Sequence, residues 1–142
     1  LDNPQWKKEF PAYKTIISNA VKKTFQSENV ESQNNHISVF LTSDDNIKEL
    51  NLKYRNKNKA TNVLAFPIQE SIEQKNYIGD LAISLEKIIF ESNKYNIKKD
   101  KYLSQITIHG ILHLLGYDHI NDDDYEIMNK IEDRIIRELY CN

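Results

Sequence analysis

Apolar side chains along this chain repeat at two different spacings, and the switches between them divide it into eight segments. Tyr13, Ile16, Ile17, Ala20, Val21, Thr24 and Phe25 recur at helical spacing, so 12–27 is predicted to be an amphipathic helix behind Pro11. In HISVFLT, residues 36–42, Ile37, Val39 and Leu41 alternate with His36, Ser38 and Phe40, as along a strand with two unlike faces. Ser43 is placed to cap the next helix, with Asp44 and Asp45 near the exposed amides of its first turn and Ile47, Leu50 and Tyr54 as its inner stripe. NVLAFP is a short apolar strand ended by Pro67, which has no ladder donor, and 68–77 is a polar loop. YIGDLAIS, 77–84, is the next strand; Gly79 and Asp80 break its alternation and mark a bulge or bend.

Ser84 begins a helix over 85–95 with Leu85, Ile88, Ile89 and Ser92 inward, followed by helices over 99–115 and 122–139. The last is striped with Tyr125, Met128, Ile131, Ile135 and Leu139, where the methionine is expected to pack in the core. The order α, β, α, β, β, α, α, α predicts an α+β fold, a small mixed sheet covered by helices.

The length of 142 residues suits one domain spanning 1–142, and three Gly and three Pro leave little for linkers or repeats. Opening on Leu1, the chain is expected to have lost some sequence ahead of it. One cysteine, Cys141, permits no intrachain disulfide and fits a reducing, cytoplasmic setting. No apolar run approaches the length of a membrane helix, so no membrane partner is expected. The net charge of −2 argues against indiscriminate coating of nucleic acid, but Lys53, Arg55, Lys57 and Lys59 gather with no acid among them. Such a run is a solvated face or a local patch for phosphate. A guanidinium at Arg55 suits the second, because it offers paired hydrogen bonds to phosphate oxygens.

Three of the four histidines lie in HGILHLLGYDH, residues 109–119. His109 and His113, four apart on a helix, project as neighbours from one face. The surrounding residues are apolar nearly all round, which marks the helix as central. Gly116 is suited to a left-handed residue that ends the helix and returns the chain so that His119 approaches the same point. The plain alternative is three satisfied core or surface histidines. Three imidazoles with a fourth position left to water are the usual form of a catalytic zinc centre. The spacing is similar to HExxHxxGxxH of metzincin peptidases, except that Gly110 stands where their catalytic Glu does, which argues against peptide hydrolysis. Gly110 also admits close approach of another element or a substrate. Asp118 is placed to orient an imidazole, to hold a water, or to close the turn.

HGILHLLGYDH resembles the HGxLHLxGYDH signature of the YbeY family of bacterial rRNA-maturation endoribonucleases. LNLKYRNKNKATNVLAFP, 50–67, resembles that family's upstream block and GDLAIS its following strand, the likeness running from about residue 36 through Glu132. The resemblance implies His109, His113 and His119 as ligands of one Zn2+, and Arg55 and His113 as the residues on which catalysis depends. It implies single-strand-specific cleavage of RNA, 16S rRNA 3′-end maturation and quality control of the small ribosomal subunit. It also implies a zinc-peptidase-like core with a central metal-binding helix and a strand ahead of the first helix, of which LDN would be the remnant. Ala60 and Ala65 depart from the family's usual Pro and Ser, while Asn62 fits its pattern.

The mechanism expected from this reading places a phosphodiester between the ion and Arg55, the ion polarising a phosphoryl oxygen or activating water. Water and the RNA's 2′-hydroxyl stay open as nucleophiles, and Asp118 is one candidate proton acceptor. Tyr54 and Phe66 are expected in the core, with stacking on an unpaired base as the alternative. Two further readings compete. One is a non-catalytic, zinc-stabilised RNA-binding assembly factor; the other is a hydrolase of a different substrate.

Overall fold

The computed structural model describes residues 4–31, 35–55, 61–67, 77–117 and 122–140, apart from the side chain of Arg55. Along them run α1 (Gln5–Glu9), α2 (Tyr13–Ser27), β1 (His36–Thr42), α3 (Asp44–Arg55) and β2 (Val63–Pro67). β3 (Tyr77–Ser84), α4 (Leu85–Lys94), α5 (Lys99–Leu114) and α6 (Asp122–Tyr140) follow. The expected elements appear within about a residue of their expected bounds, and the fold is the α+β arrangement expected. The polar loop falls outside the described residues up to residue 76, as does LDN, the expected remnant of a leading strand.

α1 was not among the expected elements. A single turn carries no repeat to read, yet Trp6 and Phe10 are fully buried, their rings 5.3 Å apart. The Trp6 indole donates to the carbonyl oxygen of Thr42 at 2.8 Å, tying α1 to the end of β1.

The sheet has the order β1-β3-β2, with β1 parallel and β2 antiparallel to the central β3. His36 pairs with Tyr77 but Ile37 with Gly79, so one extra residue is accommodated where Gly79 interrupts the pattern. A Cβ on Gly79 would stand 2.6 Å from the backbone oxygen of Phe66, which explains why glycine occupies this position. One sheet face, carrying Val39, Val63, Ala65 and Leu81, packs against α2 and α5 through Phe25, Ile111 and Leu114. The opposite face presents Leu64 and Ala82 to Ile47 of α3. Ser43 caps α3 as expected, accepting from the Asn46 amide at 3.4 Å, and Ser84 caps α4 by accepting from Lys87.

Tyr54 departs from its expected place. Ile47 and Asn51 are buried and Leu50 half-buried, whereas Tyr54 is 59% exposed near the end of α3, its ring edge-on to Phe66 at 5.6 Å. Phe66 is half-buried against the Ile47 cluster. Tyr125 departs likewise, 50% exposed in the first turn of α6, while Met128 is buried with Ile135 as expected. Helix periodicity marks a stripe but not where along the helix the neighbouring layer stops.

α5 is the central helix: it touches α2, α4, α6, β2 and β3. At its sheet-facing side a Cβ on Gly110 would stand 2.8 Å from Leu81 Cδ2 and 3.1 Å from Val63 Cγ2. The close approach expected at Gly110 is therefore that of the sheet. Gly110→Ala is expected to cost about 1–3 kcal/mol by overpacking, offset in part by helix propensity, and a urea-denaturation midpoint checks it.

The buried Tyr102 hydroxyl donates to Glu91 at 2.8 Å, and the Asn62 amide donates to the same carboxylate at 3.0 Å. Burial, reinforced by Glu91, pushes the Tyr102 phenol above its ordinary range. The unfolded phenol ionises near pH 10 while the folded one stays neutral, so this group's contribution is full below about pH 10 and declines as pH rises beyond it. Stability measured between pH 8 and 11 is expected to fall more steeply above pH 10 in the wild type than in Tyr102→Phe.

Candidate functional site

The last two turns of α5 put His109 and His113 on one face, their rings T-shaped with centroids 4.7 Å apart. Their Nε2 atoms are 3.1 Å apart. Both rings are half-buried on the wall of an open cavity of about 500 Å³. β2 lines it with Val63, Leu64, Ala65 and Pro67, and Thr61, Asn62, Gly116 and Tyr117 complete the described lining. β2 and α5 meet here because Gly110 lets them approach, so the histidines share the cavity with the strand.

On its other side His109 is held from α6. Its Nδ1 is hydrogen-bonded to Oε1 of Glu132, a residue only 7% exposed. Glu132 was not among the expected site residues. An acid within the inward stripe, four residues after Met128 and three before Ile135, was the available signal: a carboxylate is buried only where something pairs with it.

Gly116, at φ +107°, ends α5 as expected. The Gly116 amide bonds the His113 carbonyl at 3.1 Å and the Tyr117 amide reaches back to Leu112 at 3.0 Å, while the Tyr117 side chain packs against the cluster that contains Leu112. The Tyr117 hydroxyl donates to Glu28 at the end of α2, and that bond, with burial, pushes the phenol up from its usual range. Arg134 of α6 lies 3.8 Å from Glu28 and donates to Ser27 at 2.6 Å. The turn leaving α5 is thus anchored to two other helices.

Of the three histidines expected to converge, the structure brings His109 and His113 together; His119 and Asp118 lie outside the described residues. Among the described residues no group of three or more His, Cys, Asp or Glu is set to hold a metal ion. The two imidazoles nevertheless suit one. Nitrogens about 2.0–2.1 Å from a single tetrahedral zinc stand about 3.3 Å from each other, close to the 3.1 Å found.

Arg55 closes α3, and Lys57, Lys59 and Ala60 lie outside the described residues. Lys53 Nζ lies 5.2 Å from the centre of the exposed Tyr54 ring. Ala65 is a buried part of the cavity wall, and Asn62 lines the cavity while its amide bonds Glu91.

The model of a family described as "Endoribonuclease YbeY" matches residues 1–140. A curated relative from Syntrophomonas wolfei, named endoribonuclease YbeY, is 36% identical over 132 residues, covering 87% of this chain and 82% of its own. One of the same name from Bartonella quintana is 32% identical, covering 100% of this chain and 91% of its own. Another from Buchnera aphidicola is 44% identical over 107 residues, covering 74% and 68%. A solution structure of a Thermotoga maritima protein is similar in fold, with a TM-score of 0.62, 30% identity, and coverage of 89% of this chain and 83% of that one.

Proposed function

The chain belongs to the YbeY endoribonuclease family, and from that membership we propose that it is a zinc-dependent endoribonuclease acting on single-stranded RNA. Ribosomal RNA of the small subunit is the proposed substrate, 16S rRNA 3′-end maturation and small-subunit quality control the proposed setting, and the cytoplasm the proposed location. The whole chain, 1–142, is read as one such domain. Among the described residues no helix is long and apolar enough to cross a membrane.

One observation carries the reading: two imidazole nitrogens 3.1 Å apart, on the wall of a cavity large enough to admit a nucleotide's phosphate. His109, His113 and His119 are the proposed ligands, and α5 the central helix of a zinc-peptidase-like core. When bound, the ion supplies polarisation of a phosphoryl oxygen and a more acidic water. The remaining neutralisation of phosphate is assigned to Arg55, aided at longer range by Lys53, Lys57 and Lys59. The Arg55 guanidinium pairs with two phosphate oxygens and offsets the charge that grows on them in the transition state. Tyr54, exposed beside Phe66, offers an aromatic face to an unpaired base.

Homogeneous untagged protein is expected to cut a single-stranded RNA oligonucleotide, to spare the same sequence in a duplex, to stop on chelation and to resume on added zinc. Binding without cutting would instead favour an assembly factor whose zinc is structural. Cutting that survives verified metal removal would overturn the metal reading. A 2′,3′-cyclic phosphate on the product assigns the 2′-hydroxyl as nucleophile; a 5′-phosphate paired with a 3′-hydroxyl assigns water.

A further inference from the structure

We propose that Glu132 is a positioning residue that fixes the tautomer of His109, so that the lone pair of its ring sits on Nε2, the nitrogen beside His113, before a cation arrives. The proposal rests on the metal reading above and adds a residue to it.

Glu132 occupies the inward face of α6 with Met128, Ile135 and Ile136, all of them buried. An apolar side chain there would continue the stripe at no electrostatic cost, whereas a carboxylate taken out of water needs a partner. Its partner is Nδ1 of His109, 23 residues earlier in the chain. A carboxylate accepts hydrogen bonds and does not donate them, so the shared proton belongs to Nδ1 and the lone pair of the ring lies on Nε2. That Nε2 is 3.1 Å from Nε2 of His113.

The buried carboxylate thus turns the basic nitrogen of His109 toward the side where the two rings meet. α6 is thereby more than a cover for α5: it orients a side chain that α5 carries.

The test uses the metal-free full chain, its fold checked by its amide spectrum, in wild-type, Glu132→Gln and Glu132→Asp forms. Long-range proton–nitrogen correlation of the imidazoles is expected to report the Nδ1–H form of His109 in the wild type and a mixture in E132Q, whose amide both donates and accepts. Cobalt(II) titration is expected to show affinity weakened about 10–100-fold in E132Q, with partial recovery in E132D. The metal-free melting temperature of E132Q is expected to be no lower than that of the wild type, because a buried charge has been removed. A wild-type His109 in the Nε2–H form would overturn the proposal, whatever the variants do. So would wild-type tautomer and cobalt affinity in E132Q, or a loss of affinity in E132Q that merely tracks a lowered metal-free melting temperature. Failure of the wild type itself to bind cobalt would instead overturn the metal reading, so the two failures are distinct.

Discussion

His113→Ala is expected to abolish RNA cleavage, with a loss on the order of 10³-fold or more, and to weaken zinc or cobalt binding by a comparable factor. The imidazole is half-buried on the cavity wall rather than packed in the core, while the buried residues of the same helix, Ile108, Ile111 and Leu112, point elsewhere. Removing it enlarges an open cleft and leaves no closed void, so the stability cost is expected to stay within about 1 kcal/mol. The combination is diagnostic. Cleavage, metal titration and thermal melting on the same preparations should show the first two lost and the third nearly unchanged. Cleavage retained at wild-type rate would remove His113 from the chemistry, and a collapse of the melt together with activity would favour the structural-zinc alternative.

Trp6→Ala carries the largest expected cost in stability, about 3–5 kcal/mol, or a fall in melting temperature of roughly 10–20 °C. The indole is fully buried between α1 and the core that includes Phe10, Leu41 and Leu103. Its removal opens a cavity and leaves the Thr42 carbonyl without the 2.8 Å bond it now receives. Because Trp6 lies in a cluster separate from the one containing Met128 and Ile135, metal affinity of the protein still folded is expected to change little. Denaturant and thermal melts check the first statement, and cobalt titration below the transition checks the second.

Trp6 also shows where reading the sequence stops. α2 through α6 and β1 were legible from helical spacing or alternation sustained along them, β2 from a short apolar run closed by Pro67, and β3 from an apolar run interrupted at Gly79 and Asp80. α1 offers one turn, and only tertiary packing shows that Trp6 and Phe10 belong inside. Tyr54 and Tyr125 fell on correct helical stripes but lie near helix ends, beyond the layer that buries Ile47 and Met128. Strand order was not legible either, since β1 pairs with β3 across an intervening helix and strand.

The candidate site divides in the same way. His109 and His113 were readable as a pair because helix spacing dictates their proximity, and Gly116 because a left-handed residue must end α5 where it does. Gly110 was readable as a point of close approach, though only the structure identifies Leu81 and Val63 as what approaches. Glu132 reaches His109 from another helix, a relation that no local spacing encodes.

Crystals of the protein purified without a histidine tag, measured by anomalous diffraction on both sides of the zinc absorption edge, test the pairing of the two imidazoles most directly. The expected result is one zinc peak about 2.0–2.1 Å from Nε2 of both His109 and His113. A peak that contacts only one of these rings, or zinc bound elsewhere with both rings vacant, would contradict it.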